Sequence, residues 1–172
     1  MIQYALTRKT ETEEKLKRFS VSSEAKWFHP SIYLYTLELS KDTWASLELI
    51  AVHNGSVQGF MKARIDREVT SITQLALCKF HTGNELQLAT DISTVFSFLR
   101  THFRTIRWSC VSGSPLTKMY EKIAADQGGT FIGGFINSVR LMDGSLADEF
   151  WFEVPGNTNP DGITYNPEWN YK

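Results

Sequence analysis

The chain has 172 residues, with 18 Lys+Arg against 19 Asp+Glu and a formal net charge of −1. That length suits a single domain burying roughly 70% of its unfolded surface. Hydrophobic residues at 42% and charged residues at 22% exclude a disordered or fibrous class, and the near-neutral balance lacks the electrostatic footprint of a nucleic-acid or anionic-membrane binder.

Two cysteines, Cys78 and Cys110, offer at most one bridge and exclude a disulfide-rich scaffold. The first residues carry no apolar signal region behind their charges, and no run approaches ~18 apolar residues, so a soluble cytoplasmic protein is the expectation. His29, His53, His81 and His102 are scattered. Only Cys78-Lys-Phe-His81 sets two metal-type ligands close together, and half a site of this kind does not hold an ion. No metal is expected.

In chain order, Thr10–Phe19 is charged with Leu16 and Phe19 at i, i+3, which predicts a short surface helix. Ser22–Ser40 is irregular and aromatic, either a second short helix or a loop packing its rings on a sheet, and 10–40 together form an N-terminal layer. Ser46–His53 reads as a strand, and Asn54-Gly55 after it is a type I′ hairpin signal, because that turn needs positive φ at both central residues. Val57–Ile65 returns, Asp66–Glu68 turns, and Thr70–Lys79 is a third strand, so 46–79 is an antiparallel meander.

The apolar period then changes from 2 to 3.6. Leu88, Ile92, Val95, Phe96, Leu99 and Phe103 mark a long helix over 85–103. The strand 105–111 follows and, needing a crossover, should run parallel to Thr70–Lys79. A helix over 114–127 is predicted to start near Ser114-Pro115, where serine caps and proline suits the first position, and to stop at Gly128-Gly129. It carries Leu116, Met119, Tyr120 and Ile123 inward. The final hairpin, 130–154, turns at Asp143-Gly144, a second type I′ signal. The tail 155–172, rich in Pro, Gly and Asn, is either disordered or a strap anchored by Tyr165, Trp169 and Tyr171. The prediction is thus one α+β domain over 1–154, a mixed sheet whose antiparallel-to-parallel switch opens a ligand crevice beyond the parallel strand ends.

Trp108-Ser-Cys-Val-Ser-Gly-Ser-Pro-Leu-Thr-Lys-Met-Tyr-Glu-Lys-Ile123, followed by Gly-Gly-Thr-Phe-Ile-Gly-Gly134, resembles the GNAT-type N-acetyltransferases, as does the element order from Leu47 to Val154. The resemblance implies acetyl coenzyme A in the cleft where two parallel strands splay, and direct acetyl transfer to a primary amine. It places Tyr120 as the proton donor to the departing thiolate, an acid that the expulsion of a sulfur anion calls for. Packing between Leu116 and Ile123 is the alternative role for Tyr120. It also places the backbone of Leu75, Ala76 and Leu77 along the pantetheine arm, with one N–H polarising the thioester carbonyl. His81, Thr82, Gly83 and Asn84 would lie at the pyrophosphate, and Ser114 at the cofactor.

Two features depart from the family. Its pyrophosphate loop, Gln/Arg-x-x-Gly-x-Gly/Ala, lets successive N–H groups point at phosphate from a helix start. Here Cys78-Lys-Phe-His-Thr-Gly-Asn-Glu85 has one glycine and fits in neither register. The second is the general base: Ser71–Leu77 carries no carboxylate, so Glu48 is the nominee, against the plainer reading of a solvated strand-face glutamate. Asp148, Glu149 and Glu153 offer an acidic rim to a cationic amine. Cys78 and Cys110 read as small core residues rather than nucleophiles. Two functions therefore stand: an acetyl-CoA-dependent N-acetyltransferase, and a non-catalytic protein of the same fold that binds a protein partner after losing the phosphate cradle.

Overall fold

The computed structural model describes residues 1–27, 38–41, 43–80, 85–141 and 143–157. The expectations made for 28–37, for His81–Asn84 and for the tail from Thr158 lie outside the described residues. Seven strands form one sheet in the order β1-β2-β3-β4-β5-β7-β6. They are β1 Ile2–Tyr4, β2 Ser46–His53, β3 Ser56–Asp66, β4 Ser71–Lys79, β5 Thr105–Val111, β6 Thr130–Arg140 and β7 Leu146–Pro155. The helices are α1 Lys9–Ser20, α2 Glu85–His102 and α3 Thr117–Asp126, with 3-10 turns at Ala5–Arg8 and Ser23–Trp27. No described helix is long and apolar enough to cross a membrane.

All strand pairs are antiparallel except β4 and β5, as the strand–helix–strand order requires. Helices cover both faces, so both parities of the central strands are apolar. In β2, Leu47 and Leu49 turn to α2 and α3, packing with Met61, Phe96 and Leu99, while Ile50 and Val52 turn to Leu16 and Phe19 of α1. Trp108 is fully buried on the α2 face, with Phe96 edge-on at 5.1 Å and Phe152 stacked at 5.8 Å. Those three rings tie β5 to α2 and β7.

The meander turn behaves as its residues demand: Asn54 and Gly55 have φ of 50° and 76°. At the end of α3 Gly128 has φ of 70°, and its N–H and that of Gly129 reach back to the carbonyls of Ala125 and Ala124 at 3.2 and 2.7 Å. This is a Schellman stop.

Three expectations are corrected. The α3 helix begins at Thr117, not at Ser114, because the Ser114 Oγ accepts from the N–H of Leu116 at 3.2 Å and shapes a turn ahead of the helix. The last hairpin does not use a type I′ turn. Gly144 alone of its Asp-Gly pair has positive φ, 85°, and Leu141 both accepts from Gly144 N–H and donates to the Ser145 carbonyl, closing a three-residue loop. Finally, β1 was not foreseen. Three residues carry no periodicity, and the strand exists because Ile2–Tyr4 pairs with Leu49–Ala51.

Candidate active site

β4 and β5 are paired only at Ser71↔Thr105 and Ile72↔Ile106. Both strands run on, to Lys79 and to Val111, without further pairing to each other, so a wedge opens towards their carboxyl ends. Beyond those two pairs the inner edge of β4 has no strand paired to it. Phe80 donates to the Gln58 carbonyl of β3 at 2.9 Å, and antiparallel pairing alternates the direction of these groups. Even-numbered residues of β4 at this end therefore bond β3, while Leu75, Leu77 and Lys79 present their N–H and C=O to the wedge. Of the nominated strand residues, Leu75 and Leu77 face the site with their backbones and Ala76 faces β3.

Tyr120 closes the inner end of the wedge. It projects from α3, which packs on β5, β6 and β7, yet its hydroxyl bonds the backbone of Leu77 on β4. Burial pushes that hydroxyl well above the usual phenol range, with neighbouring Cys78 and Cys110 adding to the shift and the Leu77 contact opposing it. The group is protonated throughout the neutral range. Cys78 and Cys110 are free thiols whose ionisation burial also disfavours. A thiolate is the reactive form, and burial works against it at both positions.

A cavity of about 510 Å³ passes through the wedge. Its wall includes Leu77, Cys78, Lys79, Ser114, Leu116 and Met119 around the strand ends. On the α1 side it opens between Phe19, Glu24, Trp27 and Phe60. The Trp27 ring packs on the turn after β5, where Gly113 has φ of 80° and a Cβ would meet the indole at 3.3 Å. On the α2 side the cavity continues beneath the helix past Met61 and Leu49 to Ile2 and Asp91. Asp91 is buried and bonded to His53 Nε2, with the Met1 ammonium 3.9 Å from its other oxygen.

Of the nominated residues, Leu77 and Ser114 line the cavity, and Tyr120 reaches it through its bond to the Leu77 backbone. The fold does not bring Glu48 to the cavity wall. Glu48 is buried rather than solvated, turned to the α1 face, paired with Lys62 at 2.7 Å and accepting the N–H of Ser40 at 3.0 Å. Its charge is spoken for. Glu24 and Asp91 are the carboxylates among the described lining residues, and sequence reading passed over both. Asp91 had a usable signal, an acid on the apolar side of α2 one residue before Ile92. Glu24 had none, since it lies in an irregular segment.

No family model matches the chain, and no curated protein is similar to it in sequence. Solved structures do share its fold. The aminoglycoside 6'-N-acetyltransferase from Enterococcus faecium superposes with a TM-score of 0.65 at 13% identity, covering 94% of this chain and 99% of that one. An acetyltransferase of the GNAT family from Streptococcus pneumoniae gives 0.64 at 12%, covering 90% and 98%. RimL, an acetyltransferase of a ribosomal protein solved with coenzyme A, gives 0.57 at 8%; the match spans 67% of this chain and 64% of RimL. The chain has the GNAT N-acetyltransferase fold, an α+β mixed sheet with one parallel pair.

Proposed function

We propose that the protein is an N-acyltransferase that takes an acyl group from acetyl-CoA or a related thioester and places it on a primary amine. The observation that carries this reading is the splayed edge of β4, unpaired to β5 beyond Ile72, with a protonated, buried tyrosine bonded to Leu77 across the wedge. A strand edge with no neighbouring strand suits an amide-bearing chain laid beside it, as another strand would be.

Bound there, coenzyme A supplies the activated acyl thioester. The residues of the chain do the rest. The Leu77 N–H and the Tyr120 hydroxyl lie together where charge develops, and preorganised donors of this kind act most strongly away from water. The hydroxyl cannot serve as base while it stays protonated; it donates to the sulfur as the carbon–sulfur bond breaks and the carbon–nitrogen bond forms. The amine enters by the α1 side, where the Glu24 carboxylate at the mouth attracts its cationic form and where its proton is lost to water. Glu48, two positions from Ile50 on the same face, holds β2 and β3 in register through Lys62.

The first test is calorimetric titration with acetyl-CoA, using desulfo-coenzyme A as control. Binding in the micromolar range, about −8 kcal/mol, supports the reading. No heat and no thermal shift at millimolar ligand overturns it, and the single-glycine loop after β4 would then mark a protein of this fold that binds a protein partner instead. Tyr120→Phe should reduce acyl transfer on the order of 10²-fold while leaving coenzyme A affinity nearly intact. Unchanged turnover removes Tyr120 from the chemistry.

A further inference from the structure

The cavity is longer than an acetyl donor needs, and its two ends differ. A pantetheine arm laid on the inner edge of β4 reaches residues of β4, β5 and the turn before α3. It does not reach Leu49 or Ala51, which lie two strands away, or Ile2, which lies three strands away. Neighbouring strands are about 4.8 Å apart, so the cavity runs roughly 14 Å sideways from Leu77 beneath α2. Protein interiors are packed with few voids larger than a water molecule. A gap of this extent between α2 and the sheet is space held for a ligand.

What fills it follows from its walls. Leu49, Met61, Ile92, Val95 and Phe96 make the α2 end aliphatic and aromatic. The acid on this wall, Asp91, is already bonded to His53, so an apolar guest meets no unpaired charge. Half-buried Ile2 and exposed Ala89 lie at the margin of this end. The α1 end, by contrast, opens beside an exposed carboxylate, Glu24, which suits a cationic amine that must come and go. An apolar end leading away from the Tyr120–Leu77 contact suits the part of the donor that stays attached to the thioester carbonyl.

We propose that the acyl group transferred is a medium-length aliphatic chain, of about the size of octanoyl, seated beneath α2, and that the product is an N-acyl amine. This rests on the acyltransferase reading above and names the donor for it. No redox step is involved: the chain is carried from sulfur to nitrogen unchanged.

The experiment is calorimetry on the full chain, without amine, using coenzyme A, acetyl-CoA, butyryl-CoA and octanoyl-CoA in turn. The expected result is a Kd that falls with chain length, at least tenfold from acetyl to octanoyl, with a parallel rise in thermal midpoint. Val95→Phe places a ring in the proposed chain site and should bring the acetyl-to-octanoyl ratio towards one; Ala51→Leu tests the same wall from the sheet side if the first variant does not fold. Equal Kd values for acetyl and octanoyl, or tighter binding of acetyl, overturn the chain site and leave the acetyl-transfer reading intact. Failure of every thioester and of coenzyme A itself overturns both.

Discussion

Along its β7 edge, β5 is paired at seven positions, from Thr105↔Pro155 to Val111↔Glu149; along its β4 edge it is paired only at Thr105 and Ile106. On the first side every backbone group has a partner and Phe152 stacks on Trp108. On the second, the five residues from Arg107 to Val111 have no strand paired to them. One strand is thus scaffold on one edge and one side of the wedge on the other. The difference teaches where the stability of a site comes from: the unpaired wedge persists because the continuous pairing of β5 to β7, itself backed by β6, holds β5 in place, and α2 and Tyr120 tie it back to β4. A site with free hydrogen-bonding edges needs rigid support elsewhere.

The comparison is broken most severely on the scaffold side. At Gly129 an added Cβ would lie 2.4 Å from the Glu153 carbonyl oxygen and 2.6 Å from the Val154 side chain. Backbone cannot yield there without moving β7 off β5. Gly129→Ala should cost about 3 kcal/mol in urea unfolding, at the upper end for an overpacked position. A loss under half a kcal/mol would mean that the hairpin is looser than its pairing implies.

A middle-sized effect belongs to the wedge itself. Burial raises the Cys78 thiol far above its ordinary range. The folded state therefore holds that proton more tightly than the unfolded state does. The stabilisation is complete below about pH 8.5, the unfolded thiol value, and is lost as pH rises above it, by about 1.4 kcal/mol per pH unit for one such group. Unfolding free energies from pH 7 to 10 should be level and then fall, and Cys78→Ala should flatten the fall. A wild-type profile level to pH 10 would show that the thiol reaches water through the wedge.

The smallest effect lies far from the wedge, where α1 is fastened to the β2–β3 turn. Glu11 accepts from the N–H of Val57 at 2.8 Å and from the Ser56 hydroxyl at 3.1 Å, and Arg8 bonds its other oxygen at 3.0 Å. The Val57 N–H leads in holding its pKa below the usual carboxylate value, with Arg8, Ser56 and Lys15 assisting against some desolvation. Its contribution is present above about pH 4.3 and is lost as pH falls through the lowered folded value. Glu11→Gln should cost about 1 kcal/mol at pH 7 and less at pH 3. An equal cost at both pH values would assign the effect to packing rather than charge.

Much of this was legible in the residues. Where one face of a segment must be buried, the period of its apolar positions sets its type: Ser46–His53 and Thr105–Val111 were bounded as the structure has them, and the long helix was placed to within one residue at its end. Asn54-Gly55 and Gly128-Gly129 were legible because positive φ narrows the choice of residue. The start of α3 was not, since the Ser114 hydroxyl serves a turn instead of the helix, and both uses read alike. At the site, Tyr120 stood out by its place in a motif, whereas Glu24 carried no local mark.

By itself, the sequence determined the order of helices and strands, the crossover that makes β4 and β5 parallel, and a core able to be apolar on both sheet faces, because these depend on periodicity and turn chemistry within short windows. Tertiary structure alone decided that β4 and β5 part after two pairs, that β1 joins the sheet, that Glu48 is matched by Lys62, and that a cavity runs beneath α2 to Asp91. Each of those depends on residues tens of positions apart meeting in space, and on which backbone groups are left unpaired once they have met.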